Sequence, residues 1–195
     1  MKSSARSHTS KPLIDLSGYT LAETVELFAD PQRRKAALRK LMAAGRSGTA
    51  FLREGLHHSD AAVRSGCCEV LDHFMDEDAI PDLIANIDHS DPAVRSWALH
   101  ALACERCKDG TCVPDAAAIV PLVVERLETD PHRGVRQQAA GLLAARAAND
   151  ALARGALEKA FREDPAAQVR KLAGRSLMGG KRLKKSKRVR AARRT

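Results

Sequence analysis

A Val-Arg pair behind an acidic turn recurs along the chain, and this repeat constrains the fold more than any other feature. Four segments carry it: SDAAVRSGCCEVL from Ser59, SDPAVRSWALHAL from Ser90, DPHRGVRQQAAGLL from Asp130 and DPAAQVRKLAGRSL from Asp164. With the frame set on Val63, Val94, Val135 and Val169, the residue four places on is Cys67, Ala98, Ala139 or Ala173. The residue eight places on is always Leu: Leu71, Leu102, Leu143 and Leu177. DPQRRKAALRKL, from Asp30, fits the same frame from Arg33, with Ala37 and Leu41 in those places. Positions four and eight apart share one stripe of an α-helix. Each copy therefore predicts an amphipathic helix with a small residue where a neighbouring helix comes close.

Asp before Pro, at Asp30, Asp91, Asp130 and Asp164, supplies a capping oxygen and a preset first-turn φ, so each acidic turn starts a helix. Between the copies lie second apolar stretches, TAFLREGL, DAIPDLIANI, AAIVPLVVERL and ARGALEKAF. They predict two helices per unit, with Pro81 in a first turn and Pro121 deep enough to kink or delay its helix. The frame advances by 30, 31, 41 and 34 residues, the range of helical-hairpin repeats whose single units cannot bury their apolar faces alone. The expected fold is all-α: a short right-handed α-solenoid of four to five helical hairpins over residues 19–178, with LAETVELFA as a capping helix. Residues 1–18, polar and without an apolar signal segment, read as a disordered leader, and residues 179–195 as a disordered basic tail.

Asp-Pro, Val-Arg, a small residue and then Leu is a pattern that resembles the HEAT-like repeats, and more closely the bacterial version often named for phycobilisome lyases. The resemblance spans roughly residues 30 to 178. It implies that turn Asp and helix Arg side chains form a ladder between units, here Asp60, Asp91, Asp130 and Asp164 with Arg64, Arg95, Arg136 and Arg170. The first copy departs, with Arg33 and Arg34 where Val-Arg is expected. The arginines could also be read as a binding stripe, but one acid per Arg at regular spacing is what stacking requires.

Enzymatic relatives of this repeat set tests that the sequence does not meet. Proteins resembling the deoxyhypusine hydroxylases hold two irons with paired His-Glu dipeptides, and none of the seven histidines here precedes Glu. Those resembling alkyl-base DNA glycosylases stack a base on aromatic faces. Here six aromatics are scattered (Tyr19, Phe28, Phe51, Phe74, Trp97, Phe161), and most are expected in the core. No residue set suggests phycobilin lyase or isomerase chemistry, which the repeat alone does not establish. Asp76, Glu77 and Asp78 crowd one interhelix turn, where capping explains them.

The 41-residue interval holds HALACERCKDGTCVPD, with three of the five cysteines. His100 and Cys104 are one helical turn apart, Cys107 follows after two residues, and Lys108-Asp109-Gly110 can return Cys112. Three thiolates and one imidazole would complete a tetrahedral structural zinc site with no open position. The alternative is a buried Cys104 with Cys107 and Cys112 as free or reversibly oxidised thiols. Cys67 and Cys68 belong to core positions. An odd cysteine count with no signal segment points to a reducing, cytoplasmic setting.

The net charge of +9 is unevenly distributed. Residues 1–56 carry ten basic and five acidic groups, 57–178 carry fourteen and nineteen, and 181–195 carry nine and none. The basic pI thus describes Lys181, Arg182, Lys184, Lys185, Lys187, Arg188, Arg190, Arg193 and Arg194. Such a segment attracts DNA or RNA through phosphate neutralisation, and without aromatics it has no means of base preference. No apolar run approaches the length of a membrane span. The function expected is a non-catalytic adaptor that binds another protein through its solenoid and nucleic acid through its tail. Two alternatives stand beside it: a metal- or redox-responsive protein centred on the cysteine insertion, and a chromophore- or base-modifying enzyme.

Overall fold

The computed structural model describes residues 14–108 and 112–178. Ten α-helices and no strands occur among them: α1 (Leu21–Glu26), α2 (Arg34–Ala44), α3 (Thr49–Gly55), α4 (Ala61–Leu71), α5 (Ile80–Asn86), α6 (Pro92–Ala103), α7 (Ala116–Thr129), α8 (Arg133–Ala144), α9 (Ala151–Glu163) and α10 (167–178). Two layers result. The helices of the Val-Arg copies stack on one another, α2 on α4, α4 on α6 and α6 on α8. The second helices form the other layer, most extensively where α7 meets α9. The fold is an α-solenoid of helical hairpins, closed at one end by α1 and a 3-10 turn, Leu27–Ala29.

The frame residues are the core. Val63, Val94, Val135, Val169, their small partners from Ala37 to Ala173, and Leu41, Leu71, Leu102 and Leu143 are each no more than 2% exposed. Leu177 is only half-buried against them. Fully burying one such leucine contributes about 1.5–3 kcal/mol, so the stripe dominates cohesion between units. Helix approach is closest where a side chain is missing: a Cβ on Gly66 of α4 would lie 2.4 Å from Cγ of Phe28. Between α2 and α3 the chain turns at Gly45, whose φ of +59° is costly for residues with a Cβ.

The acidic turns cap their helices in two ways. Asp60 and Asp91 accept directly from the first-turn amides Ala62 N (2.6 Å) and Ala93 N (2.7 Å). Asp30, Asp130 and Asp164 also accept from the amide two residues on, Gln32, His132 and Ala166, but there that amide precedes the helix, making a turn that leads into it. Pro81 sits in the first turn of α5. Pro121 lies in the second turn of α7, which runs on to Thr129, so the proline interrupts one hydrogen bond without ending the helix.

Leu16, within the stretch expected to be leader, is buried, and the Lys40 ammonium donates to its carbonyl at 2.7 Å. Residues 1–13 and 179–195, to which the rest of the leader and the basic tail were assigned, lie outside the described residues. Phe28 is buried, Tyr19, Phe51, Phe74 and Trp97 are partly buried against the core, and Phe161 is 52% exposed. The last departs from the core expectation: its ring lies against Gly174 of α10, where an added Cβ would come within 2.8 Å of it, yet half of the residue stays exposed. No described helix is long and apolar enough to cross a membrane.

Candidate functional site

The 41-residue interval leaves α6 at its full length and opens a long turn between the two helices of one hairpin. Ala103 is the last residue of α6, Cys104 leaves the helix with extended backbone, and Glu105–Cys107 form a single 3-10 turn. This geometry brings together three of the four residues singled out by spacing. His100 lies one turn before the end of α6, and Sγ of Cys104 and Cys107 are 3.2 Å apart. The fourth member is Asp72, from the residue that follows α4 in the preceding unit. Donor atoms of Asp72, His100, Cys104 and Cys107 all lie within 4.8 Å of one another. Cys112 is not in this group. It is half-buried beside Glu77 in an open cleft that Arg46, Thr49, Asp76 and Asp78 also line. Asp109 and Gly110, expected to reverse the chain, lie outside the described residues.

Asp72 is the electrostatic centre of the group. Its side chain is 1% exposed, and Oδ2 stands 3.0 Å from Nδ1 of His100. The Lys108 ammonium, itself buried, is 3.5 Å from Oδ1 and donates to the carbonyls of Ala101 and Cys104. Burial alone would raise the Asp72 pKa, but His100, Cys107 and Lys108 outweigh it and hold the carboxyl below its ordinary value. These contacts are close but poorly aligned: neither carboxylate oxygen, nor His100 Nδ1, makes a hydrogen bond. Burial, reinforced by Asp72 and Cys104, pushes the Cys107 thiol up to about 12. The Cys112 thiol is also raised, by burial and then by Glu77. Cys67 and Cys68 are wholly enclosed, and burial raises both thiols, Cys68 to about 12, so neither is a ready nucleophile.

The inter-unit ladder follows a local rule. Each Val-Arg arginine first donates to carbonyls of the turn before its own helix: Arg64 to His57 and His58, Arg95 to His89 and Ser90, Arg136 to Asp130 and Pro131, and Arg170 to Asp164 and Pro165. Two of them also take the Asp of the next unit in a fork. Arg95 Nε and Nη2 each lie 2.8 Å from Asp130, and Arg136 lies 2.8 and 3.2 Å from Asp164. Burial disfavours the charged form of Asp130, yet Arg95 and the His132 amide hold its pKa below the ordinary value.

The ladder stops short of the full set. Arg64 does not reach Asp91, whose carboxylate is spent on the amides that open α6. It reaches Oδ1 of Asn86 at 3.1 Å instead. Asp60 likewise serves as a cap. Arg34, in the departing first copy, pairs with Glu69 at 2.8 Å and donates to the Ala62 carbonyl, both in the next unit.

Asp76 caps the following 3-10 turn, and Asp78 pairs with Arg53 at 3.1 Å, as the capping reading of that acidic turn expects. Between α7 and α9 runs a shallow groove of about 270 Å³, lined by Leu127, Glu128, Lys159, Ala160 and Glu163 above the Arg136–Asp164 pair. Beside that buried pair, the groove carries Lys159 with Glu128 at 3.2 Å, an exposed surface contact.

Comparison with known proteins agrees with this architecture. The family of HEAT repeats matches residues 22–103, and helix-on-helix stacking continues beyond them through α7, α8 and α9. The fold is that of a HEAT-like repeat protein. Among solved structures, the complex of CpcE and CpcF of phycocyanin lyase from Nostoc sp. PCC7120 is similar, with a TM-score of 0.67 and 17% identity. The match covers 80% of this chain and 96% of that one. A designed armadillo repeat protein matches with a TM-score of 0.50 and 18% identity, covering 83% and 82%. No curated protein matches the sequence significantly.

Proposed function

We propose that the chain is a non-catalytic cytoplasmic adaptor. In this reading the HEAT-like stack binds another protein through its surface, and the segment 181–195 adds sequence-tolerant affinity for DNA or RNA. The observation that carries the reading is the charge partition: residues 57–178 hold five more acidic than basic groups, whereas 181–195 hold nine basic groups and no acidic one. Residues 1–56, with five more basic than acidic groups, cancel that acidic excess, so a body without net charge and an appended segment that attracts polyanions divide the labour between protein and nucleic-acid partners.

Repeat stacks of this kind are built to present extended surface, and the described clefts bring together no nucleophile, base and oxyanion donors. The similar phycocyanin lyase chains occur as a complex of two proteins, a precedent for this fold meeting a protein partner. The likeness is one of fold, and no described residue set here matches a chromophore reaction.

Fluorescence anisotropy with a labelled oligonucleotide tests the nucleic-acid half. If about six phosphates are engaged, the full chain should bind with a log–log salt slope of about −4 to −5, and the chain lacking 181–195 should lose that binding at moderate salt. Undiminished binding by the shortened chain would place the affinity elsewhere.

A further inference from the structure

We propose that Asp72, His100, Cys104 and Cys107 bind one zinc ion, which fastens the cysteine-bearing turn after α6 to the end of α4 in the preceding repeat. Four donors of the types zinc takes, two sulfurs, an imidazole and a carboxylate, converge from two repeats with every pair of donor atoms within 4.8 Å. The two sulfurs, 3.2 Å apart, need only part slightly to reach the edge of a zinc tetrahedron, about 3.8 Å for Zn–S bonds of about 2.3 Å. Four protein donors fill the coordination sphere, so the ion would be structural.

A second observation points to the same ligand. The Asp72 carboxylate is buried, both its oxygens lack a hydrogen bond, and so does the buried Nδ1 of His100. A buried carboxylate so poorly satisfied is costly unless something else completes it. Its place in the repeat sharpens the point. Nine residues after the frame valine, the later copies carry Ala103, Ala144 and Met178, and only this copy carries an acid.

A disulfide between Cys104 and Cys107, the other chemistry open to these sulfurs, would leave Asp72 and His100 incomplete. Zinc accounts for all four. Binding releases the two thiol protons to solvent and leaves two thiolates and a carboxylate around a divalent ion. The remaining single negative charge is matched by the buried Lys108 ammonium, 3.5 Å from Asp72. The structure also parts with the choice made from spacing alone, because Cys112 lies beside Glu77 and Asp72 takes its place.

The test uses the full chain, purified without added metal and measured by elemental analysis, then stripped with chelator and titrated with cobalt(II). The expected results are about one zinc per chain and, with cobalt, the visible bands of a tetrahedral ion together with thiolate charge-transfer absorption. The Cys107→Ser and Asp72→Asn variants should each lower metal affinity roughly a hundredfold or more, whereas Cys112→Ser should leave affinity and spectrum unchanged. Circular dichroism of each variant separates loss of metal from loss of fold. Three results would overturn the proposal: a folded chain that neither retains zinc nor takes up cobalt; a cobalt spectrum lost in Cys112→Ser and kept in Asp72→Asn; or a mass showing Cys104 and Cys107 joined as a disulfide in freshly isolated protein. None of these bears on nucleic-acid binding by residues 181–195.

Discussion

Replacing Asp130 by Asn removes one negative charge from the best-formed rung of the ladder while keeping an oxygen for the His132 amide. Arg95 and Asp130 are both almost fully buried, 7% and 2% exposed, and the guanidinium gives two 2.8 Å bonds to the carboxylate and two more to the carbonyls of His89 and Ser90. In Asp130→Asn the guanidinium remains enclosed without a paired carboxylate, since Asp91 and Asp88 act on it only from a distance. Breaking a buried pair from one side costs about 3–5 kcal/mol, a large part of the roughly 5–15 kcal/mol that holds a typical domain together. For a chain of this size that corresponds to a drop in Tm of roughly 6–20 °C. The exposed pair Lys159–Glu128 supplies the control, since Lys159→Met should cost no more than about 1 kcal/mol. Urea and thermal unfolding followed by circular dichroism measure both. If Asp130→Asn matches the control, the rung does not hold α6 to α8 as argued.

The same carboxylate predicts an acid response. Its pKa in the folded chain is depressed, so its contribution is present above the unfolded value near about 3.9 and is lost as pH falls through the folded value. The stability gap between wild type and Asp130→Asn should therefore narrow progressively as pH falls below about 4, and a constant gap would show that the charge is not what matters. Gly66→Ala should destabilise by about 1–3 kcal/mol in urea unfolding, because the new methyl would overlap the ring of Phe28. Gly155→Ala, in α9 where nothing lies within 4 Å of the added carbon, should instead stabilise by about 0.4–1 kcal/mol. Equal effects at the two glycines would contradict the packing described.

Helix placement was legible because the Val, small residue, Leu stripe is both a helical period and the set of side chains that neighbouring units bury. Burial of Val63, Cys67 and Leu71, and of their equivalents, follows from one-dimensional spacing. What spacing could not resolve was competition for partners across units. Asp91 and Asp130 look alike in sequence, yet one spends its carboxylate on the amides of α6 and the other receives Arg95. Asn86, which takes Arg64 in place of Asp91, lies on a second-layer helix that the Val-Arg frame does not index. The fourth member of the cysteine cluster was missed for a related reason. Asp72 is twenty-eight residues before His100 and meets it only because consecutive units stack. A signal for it was present: an acid stands where the other late copies have Ala103, Ala144 and Met178. Cys112 was favoured by closeness in sequence, but a chain that must re-enter α7 at Ala116 carries it past the cluster to Glu77.

The adaptor reading is tested most directly by affinity capture with the full chain and with the chain lacking residues 181–195, each with and without nuclease. The account predicts one defined protein retained by both chains regardless of nuclease, and nucleic acid retained by the full chain alone. A shortened chain that holds no specific protein, or a protein partner that disappears whenever nuclease is added, would contradict it.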